Sequence, residues 1–298
     1  MNGAALILAL LVIVIAFIFL VRVLFHNTKN GILFHPVRSD VEQTHPILGV
    51  DRYLGDVHTR YYQVGSEPAE RAILFLHGNS GNISDRSYMV EFATLCGLDL
   101  LLVDYRGYGQ SKGNPSIERI QEDGLVAFDH LSQQYGPRII VMSESLGSIA
   151  LSAIANQRVC ELYCIICGIS SFESIRQNSQ LPGTIQMIAR LATPSLDTKS
   201  NVKLLANAKA PVLFVHSRED ELVPYACCVE NNAVVPSEYQ RGILTIEGGH
   251  ACPIFTDLTL HMLLQHMQVD RPIATFRKWK EHMKNIGNNL MLFRIDMP

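Results

Sequence analysis

Short, almost continuous apolar runs recur along this chain, separated by stretches with helical spacing. The runs are Ala72-Ile73-Leu74-Phe75-Leu76, Leu98 to Val103, Ile139 to Met142, Leu162 to Cys167, Pro211 to His216 and Gly242 to Ile246. Runs this short and this apolar read as strands covered on both faces. Asp56 to Val64 instead alternates polar and apolar residues, as a half-buried strand does. Between the runs, residues 83 to 96 suit a helix. A second helix starts at the capping residue Ser116 and runs to about Tyr135, with Ile117, Ile120, Leu125, Phe128 and Leu131 near helical spacing. Strands alternating with helices predict an α/β fold: one doubly wound, mostly parallel sheet rather than two domains. Residues 26 to 55, broken by His35-Pro36 and His45-Pro46, read as an irregular lead-in. Residues 175 to 207 read as loops around a short amphipathic helix, Ile185 to Leu191. The roughly forty residues from 171 to 210 leave room only for a minimal cap.

The N-terminus carries a different pattern. Residues 4 to 21 hold no charge and almost no polarity, a run of 18 residues that suits a transmembrane helix. No Lys or Arg precedes the run and no small-x-small cleavage site follows it, which argues for an anchor rather than a signal peptide. Arg22, Lys29 and Arg38 come after it, so the body of the protein is expected on the cytoplasmic side. The chain then divides into an anchor (1–25), a lead-in (26–55), a folded domain (56–270) and a basic tail (271–298). That tail mixes Arg271, Arg277, Lys278, Lys280, Lys284 and Arg294 with Phe276, Trp279 and Phe293. Such a segment either lies on an anionic membrane surface or packs on the core as a last helix with a solvated basic face.

Composition narrows the partners. A net charge of -3 gives no case for nucleic acid, and no dinucleotide- or phosphate-binding loop is present. The seven cysteines lack a framework spacing and read as free thiols in a reducing compartment. Cys160, Cys164 and Cys167 invite a metal, but a strand through 162–167 would turn Cys164 and Cys167 to opposite faces, so no metal is assigned.

Chemistry enters at Ile139-Ile140-Val141-Met142-Ser143-Glu144-Ser145-Leu146-Gly147. A strand turning abruptly into a helix of small residues through x-x-Ser-x-Gly is the setting of a nucleophile elbow, which makes Ser145 the candidate nucleophile. The full pattern G-x-S-x-G occurs instead at Gly109-Gln110-Ser111-Lys112-Gly113, but neither strand nor helix abuts Ser111. A serine of ordinary pKa needs a base, and the base needs a carboxylate to orient it. Carboxylates follow the strand 211–216 at Glu219, Asp220 and Glu221, and His250 follows the last strand in a glycine-rich turn. They stand in the order serine, acid, histidine and at strand ends, where α/β sheets build their sites. The backbone N–H groups of Leu146 and Asn79 are the candidate oxyanion-hole donors, with His77 a structural loop residue rather than a second base.

With these residues in place, the chain resembles the BEM46-like group of membrane-anchored α/β-hydrolase-domain proteins. The matching segments are L-F-L-H-G-N-S-G-N (74–82), V-D-Y-R-G-Y-G-Q-S-K-G-N-P-S (103–116), S-E-S-L-G (143–147), R-E-D-E-L-V-P (218–224) and G-G-H (248–250). The resemblance implies an α/β-hydrolase fold with an eight-stranded sheet. It also implies the triad Ser145, Asp220 and His250, Asp220 being the residue that fits the pattern Asp-x-x-Val-Pro. This group usually has glycine where Ser143 stands and often glycine where Ser148 stands.

Together these readings predict a membrane-anchored serine hydrolase acting on an acyl ester or thioester, with a lipid-like or acylated substrate and no cofactor. The competing class is a hydrolase-fold protein that binds without turnover.

Overall fold

The computed structural model describes residues 34–38, 47–177, 200–250, 253–271 and 275–276. Eight strands form one sheet: β1 (Val50–Leu54), β2 (Val57–Tyr62), β3 (Ala72–Leu76), β4 (Asp99–Val103), β5 (Ile139–Glu144), β6 (Leu162–Ile166), β7 (Val212–Ser217) and β8 (Gln240–Ile246). Their spatial order is β8-β7-β6-β5-β3-β4-β2-β1. β1 and β2 run antiparallel to their neighbours, and every pairing from β4 to β8 is parallel.

Full burial of β3, β4, β5 and β6 follows from helices on both faces. On one face α2 (Ile117–Tyr135) and α3 (Ser148–Gln157) cover Leu74, Leu76, Val141 and Ile165. On the other, α1 (Ser87–Cys96) and α7 (Asp257–His266) cover Ile73, Phe75, Met142 and Ile166. Shorter helices α4 (Phe172–Gln177), α5 (Asn201–Leu205) and α6 (Tyr225–Val234) complete the first face. α2 begins as the sequence predicts, with the Ser116 side chain accepting from Arg119 N–H.

Three sequence readings are corrected. The lead-in is not irregular throughout: Val50–Leu54 pairs in full register with Val57–Tyr62. As an edge strand it is exposed at four of five positions, so it carries no buried alternation to read. His35 and Pro36, read as breakers, form a short parallel pairing with Ser80 and Gly81. Cys164 and Cys167 join the same apolar cluster rather than opposite ones. The strand ends at Ile166, and Cys167 takes a left-handed backbone with φ of 48° that swings its side chain back.

Phe276 is fully buried against Phe92 of α1, so this point of the tail packs on the core. The apolar run 4–21, the segment 185–191 and the tail beyond 276 lie outside the described residues. Among the described residues no helix is long and apolar enough to cross a membrane.

Candidate active site

The parallel strands end at one edge of the sheet, and the predicted residues gather there. β5 stops at Glu144, a single 3-10 turn (Ser145–Gly147) follows, and α3 begins at Ser148. Ser145 sits at φ 47°, in the left-handed region that costs a non-glycine residue on the order of 1–3 kcal/mol. Packing enforces it. A Cβ on Gly147 would stand 2.1 Å from the carbonyl oxygen of Leu76, so only glycine lets the turn pass this close to β3. Ser143 is accommodated without displacement: it is fully buried, lies in register with Leu76 and Ile165, and its hydroxyl finds no partner. Ser148 fits because Gly168 stands opposite, where a Cβ would come within 2.9 Å of Ser148 Cβ.

Ser145 Oγ lies 2.9 Å from His250 Nε2, and His250 Nδ1 lies 2.8 Å from Asp220 Oδ2. The carboxylate requires the proton on Nδ1, which leaves the Nε2 lone pair facing the serine hydroxyl. Asp220 is held from several sides. Its Oδ1 accepts from Leu222 and Val223 N–H at 3.0 and 2.7 Å, and His216 Nε2 approaches Oδ2 at 3.3 Å. Burial alone would raise its pKa, but the His216 and His250 hydrogen bonds outweigh it and hold the carboxyl well below the usual carboxylate range. The site therefore keeps a fixed anion beside the imidazole, while Ser145 itself remains partly accessible.

The two neighbouring glutamates also act on the histidine turn. Glu219 Oε2 accepts from Gly248 N–H at 3.2 Å, and Glu221 Oε2 accepts from His250 N–H at 3.0 Å. The acidic triplet thus holds the ring through its middle member and the backbone through its outer ones. Sequence reading saw alternatives for one role where there are three.

Ser111 is elsewhere. It is buried, donating to the Asp104 carbonyl at 2.7 Å and accepting from His58 N–H at 2.7 Å, so it braces a loop. His77 is fully buried against Tyr105 and Tyr108 and donates from Nδ1 to the Gly78 carbonyl at 2.7 Å. Burial and the nearby Arg86 charge bring its pKa down to about 4, which keeps it neutral. Because a peptide is planar and trans, fixing the Gly78 carbonyl also fixes the Asn79 N–H on the opposite side. Gly78 itself touches the site: a Cβ there would lie 3.5 Å from Ser145 Cβ. Leu146 is the first residue after the serine, in a turn whose leading N–H groups have no partner within it.

One cluster among the described residues has metal-ligand donors within 4.8 Å of one another: Cys167, Asp220 and His250. Two of these already pair with each other. Burial, then the Asp220 charge, push the Cys167 thiol up, which keeps it protonated rather than a thiolate ligand.

No protein-family model matches the chain. An uncharacterized protein of Mycobacterium tuberculosis is 30% identical over 207 residues, 68% of this chain and 70% of that protein. Protein bem46 of Schizosaccharomyces pombe is 28% identical over 175 residues, 55% of this chain and 56% of that protein. Among solved structures, an acetyl xylan esterase from Paenibacillus superposes with a TM-score of 0.58 at 15% identity, over 81% of this chain and 98% of that one. That likeness is one of fold.

Proposed function

Because this chain belongs to the BEM46-like group of α/β-hydrolase-domain proteins, we propose that it is a membrane-anchored serine hydrolase that cleaves an acyl ester or thioester. The observation that carries this reading is the line from Ser145 Oγ through His250 to Asp220, with Ser145 in the left-handed turn that exposes its hydroxyl.

In this mechanism Ser145 Oγ adds to the acyl carbonyl carbon while its proton passes to His250 Nε2. Asp220 holds the imidazolium that forms. The N–H groups of Leu146 and Asn79 meet the negative oxygen of the tetrahedral intermediate. Its collapse expels the alcohol or thiol, protonated by His250, and leaves an acyl-serine. Water, deprotonated by the same imidazole, attacks that ester and releases the acid and free Ser145. No cofactor is required for any step.

The apolar run 4–21 and the cations after it support a bilayer anchor with the catalytic domain on the cytoplasmic side, and so a lipid-like or acylated substrate. Leu222, 60% exposed on the loop that carries Asp220, gives the rim an apolar element suited to an acyl chain. A fluorophosphonate probe tests the reading. Labelling is expected in the wild type and in Ser111→Ala, and absent from Ser145→Ala; a folded wild type that resists the probe overturns it.

A further inference from the structure

The residue before the candidate nucleophile is a buried carboxylate, and the proposed triad leaves it unused. Glu144 is 7% exposed. Its Oε1 accepts from Gly78 N–H at 2.9 Å and from Arg86 Nε at 3.0 Å, and its Oε2 accepts from Tyr88 hydroxyl at 2.9 Å. Arg86, equally buried, donates its other arm to the Ser80 carbonyl at 2.7 Å. Burial opposes the Arg86 charge, and Glu144 more than offsets it, so the guanidinium pKa rises.

These contacts bracket Asn79. Residue 78 is tied to Glu144 through its N–H, and residue 80 is tied to the same carboxylate through Arg86. The Asn79 carbonyl is held as well, by Tyr108 hydroxyl at 2.9 Å and His35 N–H at 3.0 Å. Glu144 is one bond along the chain from Ser145, so whatever fixes its side chain to the loop fixes the loop to the elbow. Burying an ion pair is costly, and apolar pairs of similar volume often stabilise a fold as well, so stability by itself is a weak account of this pair.

We propose that Glu144 and Arg86 are positioning residues that hold the Asn79 N–H at oxyanion distance from Ser145. The inference rests on the hydrolase reading above. It explains why a carboxylate is tolerated beside a developing oxyanion: its charge is directed away, into Arg86, Tyr88 and the Gly78 N–H.

The test compares wild type, Glu144→Gln and the charge-free double variant Glu144→Gln/Arg86→Met in full-length protein. The readouts are hydrolysis of a p-nitrophenyl ester series, rate and final stoichiometry of fluorophosphonate labelling, and melting temperature. Displacing a donor by about 1 Å costs roughly 10²-fold in rate. The expected result for both variants is a fall of that order in kcat and in the labelling rate. KM should stay within about twofold, and labelling should still reach the wild-type stoichiometry per chain. The double variant, freed of a lone buried charge, should melt near the wild type while staying slow, which separates positioning from stability. Wild-type rates in a folded Glu144→Gln or in the double variant overturn the positioning role alone. A wild type that neither hydrolyses nor labels overturns the hydrolase reading and this role with it.

Discussion

Ser148 Oγ donates to the carbonyl oxygen of Ser145 at 2.6 Å. Ser148 Oγ in turn accepts from Ile169 N–H at 3.1 Å and from Asn201 Nδ2 at 2.9 Å, so one hydroxyl ties the elbow to the loop after β6 and to α5. Serine at this position, where the group often has glycine, is a brace rather than an intrusion. Ser148→Ala removes the donor and leaves the buried Ile169 N–H without its partner. Unfolding free energy should drop by about 1–3 kcal/mol, checked by chemical denaturation. Catalytic rate should fall only a few-fold, because the Gly147–Leu76 contact still sets the turn; an unchanged stability would show that water replaces the hydroxyl.

Variants of the proposed triad should differ in kind. His250→Ala removes the base and should abolish measurable turnover. Asp220→Asn keeps the shape but no longer demands the proton on His250 Nδ1, so the imidazole can present the wrong tautomer to Ser145; roughly a 10⁴-fold loss in kcat is expected, with residual activity detectable. Ester hydrolysis across both variants checks this, and equal activity in Asp220→Asn and wild type would move the acid to another residue.

Glu221 offers a contrast with its neighbour. Among the described residues its hydrogen bond is from the backbone N–H of His250, at the surface, where a charged hydrogen bond is weakened by solvent. Glu221→Ala should therefore slow kcat about two- to fivefold, whereas Glu221→Gln, which keeps an acceptor, should act like the wild type. A loss near that of Asp220→Asn would show that Glu221 rather than Asp220 orients the ring.

The parts of this site that were legible from sequence are those whose signal is local. β3 and the first four residues of β5, Ile139 to Met142, are unbroken apolar runs, and the elbow declares itself by strand, turn and helix even with Ser143 in place of glycine. Serine sits there fully buried, in register with Leu76 of β3 and Ile165 of β6. What could not be read depends on contacts between distant positions. Glu219 and Glu221 bind N–H groups 29 residues away, contacts that leave no pattern in either segment. Arg86 and Glu144, 58 residues apart, look like surface charges until the fold buries them together. β1 escaped because an exposed edge strand has no apolar face to show.

Two buried histidines should give stability opposite slopes on either side of neutral pH. His77 is held neutral in the fold, with its pKa lowered from 6.5 to about 4 by burial and by Arg86. Between these values the unfolded chain binds the extra proton, so stability rises as pH rises from about 4 to 6.5, by on the order of 3 kcal/mol. His58 behaves the other way. Burial lowers its pKa, but hydrogen bonds and charge from Asp104, 2.9 Å from Nδ1, and from Asp51, 3.0 Å from Nε2, more than compensate and raise it above 6.5. Its contribution is complete below 6.5 and is lost as pH climbs through the folded value. Asp220, whose folded pKa is depressed, contributes above the ordinary carboxylate value near 3.9 and is lost only in stronger acid, outside both windows. Denaturation midpoints measured from pH 4 to 8 should show the rise and then the decline. His77→Asn should flatten the acid limb relative to wild type while keeping the decline, and His58→Asn should do the reverse. A wild-type acid limb unchanged by His77→Asn would mean that His77 takes up its proton in the fold as readily as in the unfolded chain.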